Sequence, residues 1–163
     1  MGFNKILLPL DGSTNAEIAL PYAIQVTNPD GHIHLLSVVD ENSLSEMAII
    51  DVMSLDEATL EKMVQNDEPN SQLNSELFQV MTRRKYLIGI ASRLKTLGFK
   101  TTVQVTAGYA SNMIQRIAHE GFDLVVMASH GRTGLDKAIF GSVAEHTLHH
   151  AGCPVLIVPS PQT

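Results

Sequence analysis

Short apolar runs alternate along this chain with longer stretches in which apolar residues recur at helical spacing. The runs are rich in Val, Ile and Leu, and a nearly continuous apolar run predicts a strand buried on both faces, as in a parallel sheet. The third run alternates Thr and Gln with Val, which indicates a strand near an edge of the sheet. The five predicted strands are Phe3–Asp11, His32–Asp40, Lys100–Gly108, Phe122–Ala128 and Pro154–Val158.

The amphipathic stretches between the apolar runs predict helices. Pro21 is expected to kink the first helix or to move its start further along the chain. Gly98 is expected to be the C-cap of the longest helix, and Ser111 the N-cap of the helix that follows the third strand. The predicted helices cover about 16–28, 75–97, 111–121 and 142–150.

Two further segments interrupt this alternation. Asn28-Pro29-Asp30-Gly31 has the composition of a tight turn. Residues 41–74 are polar and acidic and contain Pro69, which predicts a surface insertion with one or two loose helices. The insertion follows the second strand, so it either covers the edge of the sheet where a ligand would bind or lies apart from it.

The order of elements is β-α-β-(insertion-α)-β-α-β-α-β. Strands that alternate with helices predict a doubly wound, Rossmann-like α/β fold, in which helices cover both faces of a five-stranded parallel sheet. A chain of 163 residues without internal repeats is expected to form one domain over residues 1–163.

Composition narrows the classes of function. A formal net charge of −6 does not favour a surface for nucleic acid. One cysteine excludes an internal disulfide framework and fits a reducing compartment. The first residues lack the pattern of a signal peptide, and no apolar run approaches the roughly 18 residues of a membrane span. We therefore expect a cytoplasmic protein with neither a nucleic-acid nor a membrane partner.

Glycines cluster after the fourth strand, at the edge of the sheet where open α/β sheets bind ligands. Gly131 and Gly134 allow the backbone to approach a ligand closely. Gly141 and Ser142 open a helix, whose free N–H groups and dipole favour a phosphate, and Arg132 could neutralise its charge. The alternative is a glycine-rich turn in which Ser142 only caps the helix.

Asp11 adds a carboxylate at the end of the first strand, which is expected to lie beside the fourth. A carboxylate that faces a phosphate needs a cation between them, and Mg²⁺ commonly binds through one or two carboxylates and phosphate oxygens. Asp11 is thus a candidate Mg²⁺ ligand, although it could also form an N-cap or Asx-turn for the first helix.

These residues lie in segments that resemble the universal stress protein family. The similar segments are "ILLPLDGS", "AEIAL", "LLSVVD" and "DLVVMASHGRTGLDKAIFGSVAEHTLHHAGCPVLIVP", while residues 41–74 contribute nothing. Nucleotide-binding members of the family carry Gly, two residues, Gly, nine residues, then Gly and Ser or Thr. Here Gly131, residues 132–140 and Gly141-Ser142 match that motif, and Ala128 stands at its first glycine.

The resemblance implies a strand order of 3-2-1-4-5 and a site for ATP or AMP with Mg²⁺. By position, Pro9 and Val38 would border the adenine or its ribose, and Asp11 would face ribose, phosphate or metal. Pairing through the last strand, Pro154–Val158, would form a homodimer. The residues expected to wrap the ribose and hold the phosphates are Ala128, Ser129, His130, Gly131, Arg132, Thr133, Gly134, Gly141, Ser142 and Val143.

Three functions fit these features. The first is a stress-response protein that acts as a dimeric, nucleotide-dependent sensor or switch. The second is a slow ATPase or phosphotransferase that uses the same site, for which the sequence offers no evident general base except His130. The third is a dimerisation module without nucleotide, which Ala128 favours. A metal site at His146 and His150 is a weaker alternative, because helix spacing alone supports it.

Overall fold

The computed structural model describes residues 2–40, 72–130 and 140–160, with the side chains of 72–77 excepted. Within these ranges strands and helices alternate in the predicted order. No helix in the described part of the chain is long and apolar enough to cross a membrane. The elements are β1 (Phe3–Pro9), α1 (Thr14–Glu17), α2 (Leu20–Val26), β2 (Thr27–Val39), α3 (Gln72–Thr96), β3 (Lys100–Ala107), α4 (Ala110–Ala118), β4 (Leu124–Ala128), α5 (Ser142–His150) and β5 (Val155–Val158).

All five strands form one parallel sheet in the order β3-β2-β1-β4-β5. This confirms the predicted fold class and strand order. The strand β1 lies at the centre and pairs with both β2 and β4, so the ends of β1 and β4 are neighbours as expected. The strands β3 and β5 form the two edges, which confirms the edge position predicted from the alternating residues of β3.

Helices cover both faces of the sheet, and each face has its own hydrophobic core. On one face α1, α2 and α3 pack over Ile6, Leu8, Ile33 and Leu35. On the other face α4 and α5 pack over Leu7, Leu36, Val125 and Met127. Alternate residues of each strand thus enter opposite cores, which is why the strand sequences are apolar nearly throughout.

The proline and glycine predictions for the helices are confirmed. The first predicted helix is divided, and α2 begins at Leu20 with Pro21 in its first turn, where the missing N–H of proline costs no hydrogen bond. Gly98 follows α3 with a φ of 94°. Its N–H donates to the carbonyl of Lys95, which satisfies one of the helix's last carbonyls.

Two local predictions are wrong. The segment Asn28–Gly31 does not form a separate turn between α2 and β2 but lies within β2. The pairing of β2 with β1 shifts there, and Asp30 has a φ of 61°, so the turn residues form a bulge in the strand. Ser111 is not the N-cap of α4, because the helix begins one residue earlier and Tyr109 is its N-cap.

Some predictions fall on residues that the structure does not describe. The predicted insertion 41–74 lies outside the described residues except for its last three positions, which belong to α3. Gly131, Arg132, Thr133 and Gly134 also lie outside them.

Candidate functional site

A cavity of about 430 Å³ opens at the carboxyl ends of β1, β2 and β4. Nine of the predicted site residues lie in the described part of the chain, and the structure brings all nine together in this cavity. They are Pro9, Asp11, Val38, Ala128, Ser129, His130, Gly141, Ser142 and Val143.

The first wall of the cavity follows β1 and satisfies its own polar groups. The Asp11 Oδ1 atom accepts hydrogen bonds from the N–H of Ser13 at 3.0 Å and from its hydroxyl at 2.6 Å. Ser13 is the N-cap of α1, and its Oγ accepts the N–H of Ala16 at 3.1 Å. The Asx-turn expected for Asp11 is therefore present, while the capping itself belongs to Ser13.

The second wall is the end of β4. Ala128 is the last residue of the strand and is buried opposite Val158 of β5. Asp30 is the one non-glycine residue with a positive φ in the described ranges, so Ala128 occupies unstrained strand backbone. An alanine is thus compatible with the backbone at the position where the family motif carries a glycine, and its methyl group faces no conformational penalty.

The helix α5 begins at the cavity without a side-chain cap. Gly141 is its N-cap, and no side-chain hydrogen bond to this cap is found among the described residues. The first N–H groups of a helix have no partner within it, and the residues that carry them, Ser142, Val143 and Ala144, line the cavity. Ser142 is the first residue of the helix rather than its cap, so the alternative role predicted for it is wrong.

Gly141 allows the start of α5 to pack closely against the end of β4. Its N–H donates to the carbonyl of Ser129 at 2.8 Å. A Cβ at this position would lie 3.2 Å from the Ser129 carbonyl oxygen and 3.5 Å from the His130 ring. With a φ of −70°, the glycine avoids a tight contact rather than serving a special backbone conformation.

His130 presents a polar atom without a partner beside this helix start. Its Nδ1 lies 3.1 Å from the hydroxyl of Ser129. Its Nε2 is buried and has no hydrogen-bond partner among the described residues. Buried polar atoms are rarely left without a partner, so this nitrogen calls for a group beyond the described residues.

The remainder of the cavity combines an apolar wall with a second carboxylate. Pro9 and Val38, predicted to border a base, lie with Leu36, Ile114 and Met127. Asp40 is exposed at the end of β2. The cavity therefore offers an apolar surface for a flat ring, a helix N-terminus and an unpaired imidazole for an anion, and two carboxylates for a cation.

Sequence reasoning missed eight residues that line the cavity. Asp40 directly follows β2 and Ala110 lies three residues beyond β3, so the rule that ligands bind at the carboxyl ends of strands could have selected both. The apolar positions could not be found, because helical and strand periodicity marks them only as core. The missed residues are Leu10, Ala16, Leu36, Asp40, Ala110, Ile114, Met127 and Ala144.

Three reactive side chains outside the cavity, His146, Cys153 and Tyr86, have structural surroundings. His146 Nε2 lies 2.9 Å from Gln115 Oε1, and the described residues contain no cluster of three or more groups that could hold a metal ion. Burial raises the pKa of the Cys153 thiol, which opposes its ionisation to a nucleophile. Burial and the neighbouring Glu17 carboxylate raise the pKa of Tyr86, whose hydroxyl donates to Glu17 Oε1 at 3.0 Å and joins α3 to α1.

The sheet order and the position of the cavity define the class: an open, doubly wound α/β protein with a cavity at the carboxyl ends of its strands, where sheets of this kind bind ligands. The model of the Universal stress protein family matches residues 2–159, and the chain belongs to this family.

A curated relative in an archaeon shares most of the length of the chain. Universal stress protein MJ0577 of Methanocaldococcus jannaschii is 33% identical over 159 residues, which are 96% of this chain and 94% of the relative. The solved structure of MJ0577 superposes with a TM-score of 0.73 at 27% identity and covers 100% of both chains. The similarity thus extends over the whole described fold.

Two more distant structures of the family contain nucleotides. A family protein from Arabidopsis thaliana, solved with AMP bound, has a TM-score of 0.56 at 16% identity and covers 97% of this chain and 92% of its own. A universal stress protein in complex with cAMP has a TM-score of 0.57 at 15% identity and covers 99% of this chain and 100% of its own. At these identities the similarity establishes the fold they share.

Proposed function

We propose that this chain binds an adenine nucleotide, ATP or AMP, in the cavity at the carboxyl ends of β1, β2 and β4. The base and ribose would lie against Pro9 and Val38, and the phosphates would approach Gly141, Ser142 and Val143. The AMP and cAMP complexes of the two distant family members support an adenine nucleotide as the ligand.

The observation that carries this proposal is the pairing of an uncapped helix with an unpartnered imidazole. The N–H groups at the start of α5 and the buried Nε2 of His130 lie on either side of Gly141. Together they provide several nitrogen atoms for phosphate oxygens in a cavity that is otherwise largely apolar. Gly131, Arg132, Thr133 and Gly134 would complete the phosphate wall.

Mg²⁺ fits the carboxylate side of the cavity. Asp11 and Asp40 supply the oxygen ligands that Mg²⁺ prefers, and Asp11 is oriented by its two bonds to Ser13. The cation would neutralise the charge between a triphosphate and these carboxylates. AMP, with fewer phosphate charges, would depend less on it.

The cavity favours binding over catalysis. Asp11 accepts two hydrogen bonds that orient it as a ligand rather than as a proton acceptor for water. We therefore propose a nucleotide-dependent sensor or switch of the cytoplasmic stress response, with at most a slow ATPase activity. A nucleotide-free role is less supported, because the one departure from the family motif, Ala128, is accommodated without backbone strain.

The experiment that tests the proposal identifies the bound nucleotide. The purified protein is denatured and the released small molecules are weighed, and the nucleotide-free protein is then titrated with MgATP and AMP by calorimetry. Release of an adenine nucleotide, or a saturable isotherm with either ligand, supports binding. An empty protein with no heat of binding would reject both the sensor and the ATPase.

The exposed edge of β5 supports a homodimer. The N–H of Val125 donates to the Pro154 carbonyl and that of Ser129 to the Val158 carbonyl. Alternation along a parallel strand therefore leaves the N–H and C=O groups of Val155 and Ile157 directed away from β4. A short apolar strand with unpaired backbone groups is a template for pairing with a second copy.

Sedimentation of two Ile157 variants tests whether backbone pairing or side-chain packing holds a dimer together at this edge. Ile157→Pro removes an outward N–H and is expected to shift a dimer towards monomer. Ile157→Ala retains that N–H and should remain more dimeric. A monomeric wild-type protein at micromolar concentration would rule out the dimer, and a proline variant as dimeric as the alanine variant would rule out pairing through β5.

A further inference from the structure

Ser129, which the family resemblance places against the nucleotide, also contacts the ring of His130. Ser129 is 4% exposed, so its hydroxyl is largely shielded from bulk water and is expected to find partners within the protein. Three groups lie within hydrogen-bonding distance of this hydroxyl: His130 Nδ1 at 3.1 Å, the Ser160 N–H at 2.9 Å and the Ser160 hydroxyl at 3.4 Å.

One of these partners fixes what the hydroxyl accepts. A backbone N–H can only donate, so Ser129 Oγ accepts from Ser160. Ser160 follows β5, and the N–H of Ser129 also donates to Val158 at the end of that strand. The hydroxyl is therefore anchored from β5, and its single proton is left for one of the two remaining partners.

Distance and basicity direct that proton to His130. The bond to Nδ1 is 3.1 Å long, whereas the Ser160 hydroxyl lies at 3.4 Å, far beyond the usual O–H···O length of about 2.8 Å. An imidazole nitrogen is also a stronger acceptor than a hydroxyl oxygen. When the Ser129 hydroxyl donates this bond, Nδ1 accepts it through its lone pair and carries no proton.

The tautomer of the ring follows from this assignment. A neutral imidazole with a lone pair on Nδ1 carries its proton on Nε2, which thus becomes a donor. Nε2 is buried without a partner in the described part of the chain, and the adjoining Cδ2 atom is the part of the ring that faces Gly141. The donor therefore lies beside the N-terminus of α5.

We propose that Ser129 is a positioning residue that fixes His130 as the Nε2–H tautomer and so presents a neutral donor to the phosphate of the bound nucleotide. The second part of this statement rests on the proposed function, but the first does not. The Nε2–H group would donate to a phosphate oxygen, and the anchor to Ser160 links its orientation to the end of the edge strand β5.

The test is a long-range ¹H–¹⁵N correlation spectrum of the histidine side chains in the nucleotide-free protein. At pH 8 an ordinary imidazole is neutral, and the two tautomers give different nitrogen shifts and coupling patterns. The spectrum of His130→Gln, which lacks one ring, assigns the His130 signals. We expect protonated Nε2 and unprotonated Nδ1; the Nδ1–H tautomer or an imidazolium would overturn the assignment of Ser129.

Two serine variants provide the matched comparison. Ser129→Ala removes the donor to Nδ1, so the tautomers should mix and the affinity for MgATP should fall about tenfold, as for a weakened hydrogen bond to a charged group. Ser160→Ala retains the backbone N–H and should leave both the tautomer and the affinity unchanged. A Ser160→Ala variant with an altered tautomer would mean that the Ser129 proton goes to Ser160.

The two proposals fail in different ways. If the wild-type protein binds neither MgATP nor AMP, the proposed function falls, while the spectrum of the free protein still decides the tautomer. If nucleotide binds but the Ser129→Ala ring spectrum and affinity match wild type, the positioning role falls alone. Amide spectra of each variant establish that it is folded, and the wild-type spectrum decides the tautomer without any variant.

Discussion

Of the helices that begin at the carboxyl edge of the sheet, α1 has a side-chain cap and α5 has none among the described residues. At α1, Ser13 caps the helix and binds Asp11, so the polar groups of that turn are used within the chain. At α5, Gly141 offers no side chain, and the neighbouring His130 Nε2 also lacks a partner in the described ranges. The difference separates a turn whose polar groups bond within the chain from the helix start at which we propose that phosphate binds.

The largest expected effect comes from giving α5 the cap that it lacks. Gly141→Asp places a carboxylate where the phosphate is proposed to bind, and it competes for the same N–H groups. We expect the affinity for MgATP to fall by about 100-fold or more, as for the loss of two hydrogen bonds to a charged group. Titration calorimetry measures this change.

Gly141→Ala is the control for this variant. It adds the same Cβ, which lies 3.2 Å from the Ser129 carbonyl, but no capping group. The free energy of unfolding, measured in urea, should be about 1 kcal/mol higher for Gly141→Asp than for Gly141→Ala, because a side-chain cap stabilises the helix. Equal nucleotide affinity in the two variants would show that space, rather than competition for the N–H groups, controls binding.

Removing the cap that α1 already has should affect stability first. Ser13→Ala loses the bond from Ala16 and the bond to Asp11, and should lower the free energy of unfolding by about 1 kcal/mol. Chemical denaturation measures this loss. The affinity for AMP should change less than that for MgATP, since Asp11 is proposed to act through the cation. A larger effect on AMP would contradict that assignment.

A smaller effect is expected at the first residue of α5. Ser142→Ala removes one hydroxyl donor while the backbone N–H groups stay in place. The affinity for MgATP should fall by about 1 kcal/mol, as for one hydrogen bond to a charged group, with little change in unfolding. Affinity equal to wild type would exclude the Ser142 hydroxyl from the site.

The smallest effect is expected at the amino-terminal end of β2, away from the cavity. His32 Nε2 and His34 Nδ1 both contact the hydroxyl of Thr102, and His34 Nε2 contacts Gln104. Burial lowers the pKa of both rings, and the positive charge of Lys5 adds to this, with Lys100 acting on His32. For His34 the bond to Gln104 and the charge of Glu120 oppose the shift without reversing it.

The sign of the pH effect follows from this lowering. Because the folded rings resist protonation, the unfolded chain binds more protons below its ordinary pKa of about 6.5. The contribution of the two rings to the free energy of unfolding should be complete above that pH. It should fall as the pH drops towards the lowered pKa values of the rings in the folded protein. Urea unfolding at pH 7.5 and 5.0 measures the loss, which should shrink when His32 and His34 are both changed to Gln. If the double variant loses as much stability between these two pH values as the wild type, other groups cause the loss.

The sequence was sufficient for the sheet but only partly for the site. Continuous apolar runs reveal a parallel sheet because both faces are buried, and Pro21 and Gly98 mark helix ends through their own backbone limits. Asn28–Gly31 has turn composition, yet the sheet absorbs it as a bulge by shifting the register of β2 against β1. Pairing partners decide such a segment, and they are distant in sequence.

Within the site, residues next to the end of a strand could be predicted from the sequence, but the hydrogen bonds between their side chains could not. Asp11 lies just beyond β1 and could be chosen from that position alone, whereas Gly141 lies 13 residues beyond β4 and is indicated by the glycine pattern. The link from Ser129 to Ser160 joins residues 31 positions apart, and nothing local in the sequence indicates it. That the cap of α1 is Ser13, with Asp11 as its partner, also depends on side-chain geometry that the spacing leaves open.

The amide spectrum of the protein during titration with MgATP or AMP tests the central claim most directly. The account predicts downfield shifts of the amide protons of Ser142, Val143 and Ala144, as expected for N–H groups that gain a phosphate oxygen. The amide proton of Ala16, already bonded to Ser13, should move much less. Saturable binding that leaves the amides of 142–144 unmoved, or shifts Ala16 most, would contradict it.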